Sequence, residues 1–272
     1  MLNIKLSCKA IVISLAMLPL VSLHAETGSA EALAFAQQVY DRPNGKDSSS
    51  RVTMTLKGKN QSTRVRELSI YSIDKGKGER WSLMRFSLPT DIENTGLLTK
   101  DHPGDDSDQW IYLPALDRVR VISSNRKGGR FVGSDFTYED LRDREPDMDK
   151  HRLAGVDTVG KIKCELLESI PVDKDNSIYS KRISCIHRGT LTPLRVEFFK
   201  KGRKQPVKRM LARKLKKIQG YWTVLESTMY DLKNGSQTIL ETTKIKYDLG
   251  IPEQLFSKRG LSDPDREKRF EQ

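Results

Sequence analysis

The residues able to do chemistry are few and scattered. His102, His151 and His187 each stand in charged surroundings with no second ligand at metal-binding spacing, so surface histidines are expected. His102 shares a polar loop with Asp105, Asp106 and Asp108, whose carboxylates are the oxygen donors a hard cation takes. The D-x-D-x-D-G spacing and distant Glu of a calcium loop are missing, which leaves a solvated loop. There is no G-x-S-x-G, no H-E-x-x-H, no glycine-rich phosphate loop and no C-x-x-C. An enzyme would need an acid–base pair facing a cavity, and the sequence exposes none. The expectation is therefore a protein without catalytic residues, metal or cofactor.

The cysteines say more. Lys5 and Lys9 precede an apolar run from Ala10 to Leu23, and Leu23-His24-Ala25 ends in a small residue, the pattern of a secretory leader over residues 1–25 cleaved after Ala25. The run contains Pro19 and is shorter than the ~20 residues a bilayer core requires. Cys8 lies before the run, so it is not the acylated first residue of a mature lipoprotein. Export places Cys164 and Cys185 in an oxidising compartment, on either side of the turn Asp173 to Asn176. A hairpin about that turn pairs Cys164 with Cys185, Leu166 with Ile183, Glu168 with Lys181 and Ile170 with Tyr179, each pair chemically compatible. The expected bond is structural, because a redox pair needs closer spacing and a helix terminus to lower a thiol pKa.

Charge is concentrated as well. The chain carries a formal net charge of +12, and every charged residue between Lys200 and Ile218 is basic, with Lys208, Arg209, Arg213 and Lys214 at the centre. An exported protein does not meet nucleic acid, so the anionic partners in question are phospholipid or lipopolysaccharide headgroups, or an acidic face of a membrane transporter. The alternative is a solvated β-ribbon whose charges prevent edge aggregation. Val207, Met210, Leu211, Leu215 and Ile218 fit a helix, whereas Val207, Leu211 and Leu215 fit one strand face.

The elements that must position these groups are mostly strands. An amphipathic helix is expected from the cap at Ser29 through Leu33, Phe35, Ala36, Val39 and Tyr40, stopped by Pro43-Asn44-Gly45. The period then changes to two, with runs at 52–56, 65–73, 81–88, 109–113, 118–122, 162–170, 179–186, 194–199, 221–230 and 238–247. Turns at Lys59-Asn60-Gln61, Asp74 to Gly78 and Asn234-Gly235 join neighbours. Phe136 to Leu141 reads as a short helical or turn segment. Strands in succession with no helix between them predict an antiparallel sheet, and no linker or repeat divides residues 26–272, so one domain is expected.

The stretches WIYLPALDRVRVI (110–122) and RFVGSDFTYEDL (130–141), with LTPLRVEFF (191–199) and IPEQLF (251–256), resemble the LolA-like family of outer-membrane lipoprotein-sorting proteins over nearly all of residues 26–272. The chain differs from the family pattern at Cys185, where an aromatic residue is expected. The resemblance implies a mainly β fold, a curved antiparallel sheet forming an unclosed barrel, with an N-terminal helix and a short helical plug or lid on the concave face. It also implies a periplasmic carrier or chaperone, not an enzyme, that holds a lipid or lipidated protein in a hydrophobic cavity for transfer between membranes. An exporter of the resistance-nodulation-division type or an outer-membrane acceptor is the implied partner.

Such a cavity needs no directed chemistry, since burying each CH2 is worth ~0.8 kcal/mol. Its candidate lining is Trp81, Met84, Phe86, Trp110, Tyr112, Phe136, Tyr138 and Trp222, although strand aromatics also fill cores. Gly133 permits a tight approach, Ser134 or Asp135 can cap the following turn, and Phe136 and Tyr138 can insert under the sheet as a plug. If the element is instead a lid, Arg118, Arg120 or Arg130 pairs with Asp135, Glu139 or Asp140 in the closed state. The reading from another functional class is an adaptor or sensor subunit that binds a membrane protein through the basic stripe and carries no lipid.

Overall fold

The computed structural model describes residues 23–60, 62–104 and 106–272. Residues 1–22, and with them nearly all of the expected leader, lie outside the described residues. No described helix is long and apolar enough to cross a membrane.

Thirteen strands form one antiparallel sheet: β1 (Asp47–Lys57), β2 (Thr63–Asp74), β3 (Arg80–Leu88), β4 (Gly96–Asp101), β5 (Asp108–Leu113), β6 (Arg118–Val121), β7 (Asp149–Val159), β8 (Ile162–Pro171), β9 (Lys181–His187), β10 (Thr192–Phe199), β11 (Lys208–Ile218), β12 (Tyr221–Asp231) and β13 (Ser236–Tyr247). Their spatial order is β6-β5-β4-β3-β2-β1-β13-β12-β11-β10-β9-β8-β7, two meanders joined where β1 pairs β13. The sheet does not close, and β6 and β7 are its edges. The run after Lys200 resolves as strand, because β10 and β12 both supply hydrogen-bonding neighbours to β11.

Two strands escape the alternation pattern for opposite reasons. The segment that forms β4 is buried on both faces at Gly96, Leu97, Leu98 and Thr99, so its two leucines stand side by side instead of alternating with polar residues. The β7 segment is charged and breaks its register between Leu153 and Val156, around Gly155 at φ +101°. Its His151 is buried rather than on the surface, held between the Ser169 hydroxyl at 3.0 Å and the Pro146 carbonyl at 2.8 Å.

Helix α1 (Leu23–Tyr40) starts upstream of Ser29, which is therefore interior to the helix and not its cap. Ala32, Phe35 and Ala36 form its buried face against Leu153, Leu167 and Ile186, while Leu33 points outward.

The curl of the sheet follows from the segment between β6 and β7. Phe131 stacks on Phe86 of β3 with ring centroids 5.5 Å apart, and Phe136 packs with Val196 and Phe198 of β10. Strands β3 and β10 are six spacings apart, ~29 Å in a flat sheet. Five residues reach ~17 Å at full extension. One short segment can touch both strands only if the sheet wraps around it, so the face carrying Val52, Met54, Leu68 and Phe86 is concave. The opposite face of β2–β5 is covered by Ile251, Leu255, Phe256 and Leu261 of the C-terminal segment, which includes the short helix α2 (Lys258–Ser262).

Cys164 and Cys185 form a disulfide with a Cα–Cα distance of 5.2 Å. The hairpin register differs by two residues from the expected one: Leu166 faces Cys185 and Glu168 faces Ile183. A shift of two keeps every side chain on its face, so the sulfurs still meet on a diagonal, as do Lys181 and Glu168 at 3.1 Å. The cause is Tyr179, which leaves the hairpin and is buried in the plug cluster, lengthening the connection. In the chain-entropy model a loop of this size is worth about 3 kcal/mol. Reduction, or Cys164→Ser with Cys185→Ser, is expected to lower Tm by about 6–12 °C in a thermal melt. An unchanged melt would mean that the bond constrains little in the unfolded chain.

Candidate cargo-binding site

The concave face is occupied by a plug formed by residues 122–148. Its tightest turn puts Val132 at φ +44° and Gly133 at φ +69°. A β-branched residue in the left-handed region is strained by on the order of 1–3 kcal/mol, and here Arg66 of β2 holds it by donating to the Val132 carbonyl. On one side of the turn Phe131, fully buried, sits between Phe86 and Tyr138, at centroid distances of 5.5 and 6.1 Å. On the other side Phe136 enters the cluster of Tyr179, Phe198 and Met229. The plug thus carries two aromatic wedges, one for each half of the curled sheet.

Its polar groups form a rim of fixed contacts. Asp135 accepts from the hydroxyls of Ser236 at 2.6 Å and Thr238 at 2.8 Å, both on β13. Arg130 lies 2.7 Å from Asp231 at the end of β12 and 3.4 Å from Asp135. Glu139 takes the Ile178 backbone N–H at 2.7 Å and the Ser177 hydroxyl. Asp140, with a side chain only 1% exposed, accepts from the Thr137 backbone N–H and hydroxyl, from the Tyr179 hydroxyl at 2.7 Å and from Lys208 Nζ at 2.8 Å. Burial and the neighbouring Asp140 carboxylate push the Tyr179 phenol far above its ordinary value, so it remains a donor. Burial alone would raise the Asp231 carboxyl, but the Asn234 backbone and side chain together with Arg130 hold it below the usual carboxylate range.

These contacts correct the expected ion pairs. Arg118 and Arg120 lie on the edge strand β6 and are exposed, and the plug acids are bound by β11, β13 and the 177–179 loop instead. Of the three arginines Arg130 alone reaches a plug acid.

The candidate lining residues divide between two faces. Met84, Phe86, Phe136 and Tyr138 are on the concave side with the plug. Trp81, Trp110 and Tyr112 are on the opposite face beneath the C-terminal segment, with Trp81 6.5 Å from Phe256. Trp222 is 43% exposed beside Leu211 and Leu215, away from the plug. Parity carried this signal: on β3, position 81 cannot share a face with 84 and 86. The concave face also includes Met54, Leu68 and Leu97, whose signal in the sequence is strand parity rather than size or aromaticity.

The basic stripe is also dispersed. Lys208 is buried on Asp140, Arg209 binds Glu197 at 2.6 Å, Arg213 contacts the hydroxyl and ring of Tyr230, and Lys214 is exposed. Lys214 borders an open recess of about 810 Å³, where β12 and β13 separate beyond Glu226 and Glu241. In the His102 loop, Asp108 lies 3.2 Å from the histidine and Asp106 3.1 Å from Arg142. Among the described residues no group of three or more His, Cys, Asp or Glu is placed to hold a metal.

A solved outer-membrane lipoprotein-sorting protein domain from Vibrio parahaemolyticus superposes with a TM-score of 0.82 at 30% identity, covering 86% of this chain and all of that one. The chain belongs to the LolA-like family of outer-membrane lipoprotein-sorting proteins. A DUF1329 family protein from Desulfovibrio piger gives 0.81 at 28% identity, over 86% of this chain and 99% of that one. The fold extends to a LolA superfamily protein from Nitrosomonas europaea, with a TM-score of 0.66 at 16% identity over 86% and 99% of the two chains. A family model described only as an uncharacterized protein matches residues 78–263. No curated protein matches the chain. Within the LolA-like fold, the plug and α1 lie on the same, concave face, since Leu167 and Ile186 under α1 are on the side of Ser184, which pairs with Val196 of the plug cluster.

Proposed function

We propose that this LolA-like protein is a periplasmic, non-enzymatic carrier or chaperone for a lipid or lipidated protein, exported by the leader over residues 1–25. The observation that carries the reading is the concave apolar face, filled by a plug held to β11–β13 by non-covalent contacts alone, the Phe136 wedge and a polar rim. Acyl chains that displace Phe131 and Phe136 replace one apolar filling by another, at ~0.8 kcal/mol for each CH2 buried. The cost left to offset is that of opening the rim contacts. Transfer between membranes then calls for a donor at the inner membrane, such as a resistance-nodulation-division exporter, and an acceptor at the outer membrane.

The same filled face favours a second reading, an adaptor subunit that carries no lipid and binds a membrane protein. Native mass spectrometry of the periplasmic protein separates the two. Asp135→Cys with Ser236→Cys replaces two side chains that hydrogen-bond to each other at 2.6 Å, and oxidation of the pair is expected to lock the plug to β13. Wild type and the reduced variant are expected to carry lipid and the oxidised variant to be empty. A wild-type protein that is always empty but retains a tight protein partner would establish the adaptor.

A further inference from the structure

The β10–β11, β12–β13 and β1–β2 tips share one end of the sheet, and they are consecutive along the strand order β10-β11-β12-β13-β1-β2. The span is five strand spacings, ~24 Å. Residues 200–207, 232–235 and 58–62, which make the tips, contain Lys200, Lys201, Arg203, Lys204, Lys233 and Lys59 and no acid. All six side chains are exposed, and none has an acidic partner among the described residues. A Cβ placed on Gly235 would come within 3.8 Å of the Lys59 side chain, so the β12–β13 and β1–β2 tips are neighbours. The run is bounded by loops that carry acids, Asp173 and Asp175 on one side and Asp91 and Glu93 on the other. By contrast, the recess at the far end of β11 mixes Lys214, Lys216, Lys244 and Lys246 with Glu226, Glu241 and Glu271.

We infer that this rim docks on an anionic lipid surface and brings the latched end of the plug to it. Long, solvated basic side chains spread over three tips suit a diffuse field of lipid phosphates better than a protein face of fixed geometry. The consequence for the plug is spatial. Asp231 ends β12 immediately before the tip, binds the Asn234 N–H inside it at 2.9 Å, and holds Arg130 on its other side. Arg130 is 43% exposed, so lipid phosphates at the rim compete with Asp231 for it. Docking and plug release then occur at one place, a step that rests on the carrier reading, whereas the docking itself does not.

The test is flotation of purified protein with vesicles of phosphatidylcholine alone or mixed with phosphatidylglycerol. Binding to the mixed vesicles only is expected, and it should be lost in ~1 M salt, where the Debye length is ~3 Å. Each engaged cation is worth about a fivefold change in partitioning, so reversing Lys200, Lys201, Arg203 and Lys204 to Glu should weaken binding by at least ~100-fold. Reversing Lys214, Lys216 and Lys217, ~20 Å or more along β11 from the rim, should change it by less than about tenfold. Equal binding to both vesicle types, no binding to either, or binding that survives the tip reversal would overturn the proposal. A protein that floats with anionic vesicles yet is always lipid-free would count against the carrier reading alone.

Discussion

Asp140→Ala is expected to destabilise the folded chain by about 3–5 kcal/mol, the cost of leaving a buried cation without its partner. The cation is Lys208, whose side chain is 11% exposed and 2.8 Å from the carboxylate. The substitution also strips acceptors from the Tyr179 hydroxyl and from both donors of Thr137, so the plug loses its ion pair to β11 and one of its ties to the 177–179 loop, where Glu139 keeps the others. Urea unfolding with an unchanged slope would measure the loss. Asp140→Asn combined with Lys208→Met should recover much of it, because Asn keeps an acceptor for Thr137 and Met removes the unpaired charge. If the double variant is no better than Asp140→Ala, the buried ammonium is not the dominant cost.

Phe131→Ala is expected to cost a further about 3–5 kcal/mol in a separate variant, as large aromatic truncations in cores do. Phe131 is fully buried between Phe86 and Tyr138, so little can collapse into its space. What distinguishes it from an ordinary core residue is its position on the concave face, where the vacated volume is apolar and continuous with the plug. In the carrier reading, lipid fills that volume, so the variant should hold more co-purifying lipid than wild type. Its Tm should also recover as phospholipid is added, by the linkage that stabilises any liganded native state. A variant that is weakened to the same extent with and without lipid, and remains empty, would make the plug a permanent part of the core.

The element types were largely legible in the sequence, because alternation is a local signal: Val52, Met54 and Leu56 mark β1 without reference to any other strand. Hidden elements were those where alternation is suppressed, by burial on both faces in β4 or by a charged edge in β7. The site was less legible. Large side chains that look alike in the sequence fall on two faces, and the sheet separates Trp81, Trp110 and Tyr112 from Met84 and Phe86 by one backbone thickness.

By itself the sequence determined the strand meander, the pairing of Cys164 with Cys185 and the density of positive charge after Lys200, since each depends on residue type and short-range spacing. Tertiary structure alone decided which face became the inside. It also decided that Lys208 is spent on Asp140, 68 positions away, while Lys200 to Lys204 remain free at a rim shared with Lys59 and Lys233. The physical reason is that period two assigns residues to opposite faces but cannot say which face the sheet will wrap around. That choice is made by the plug, whose aromatic wedges must contact strands that are far apart in the sheet and become neighbours only when it curls.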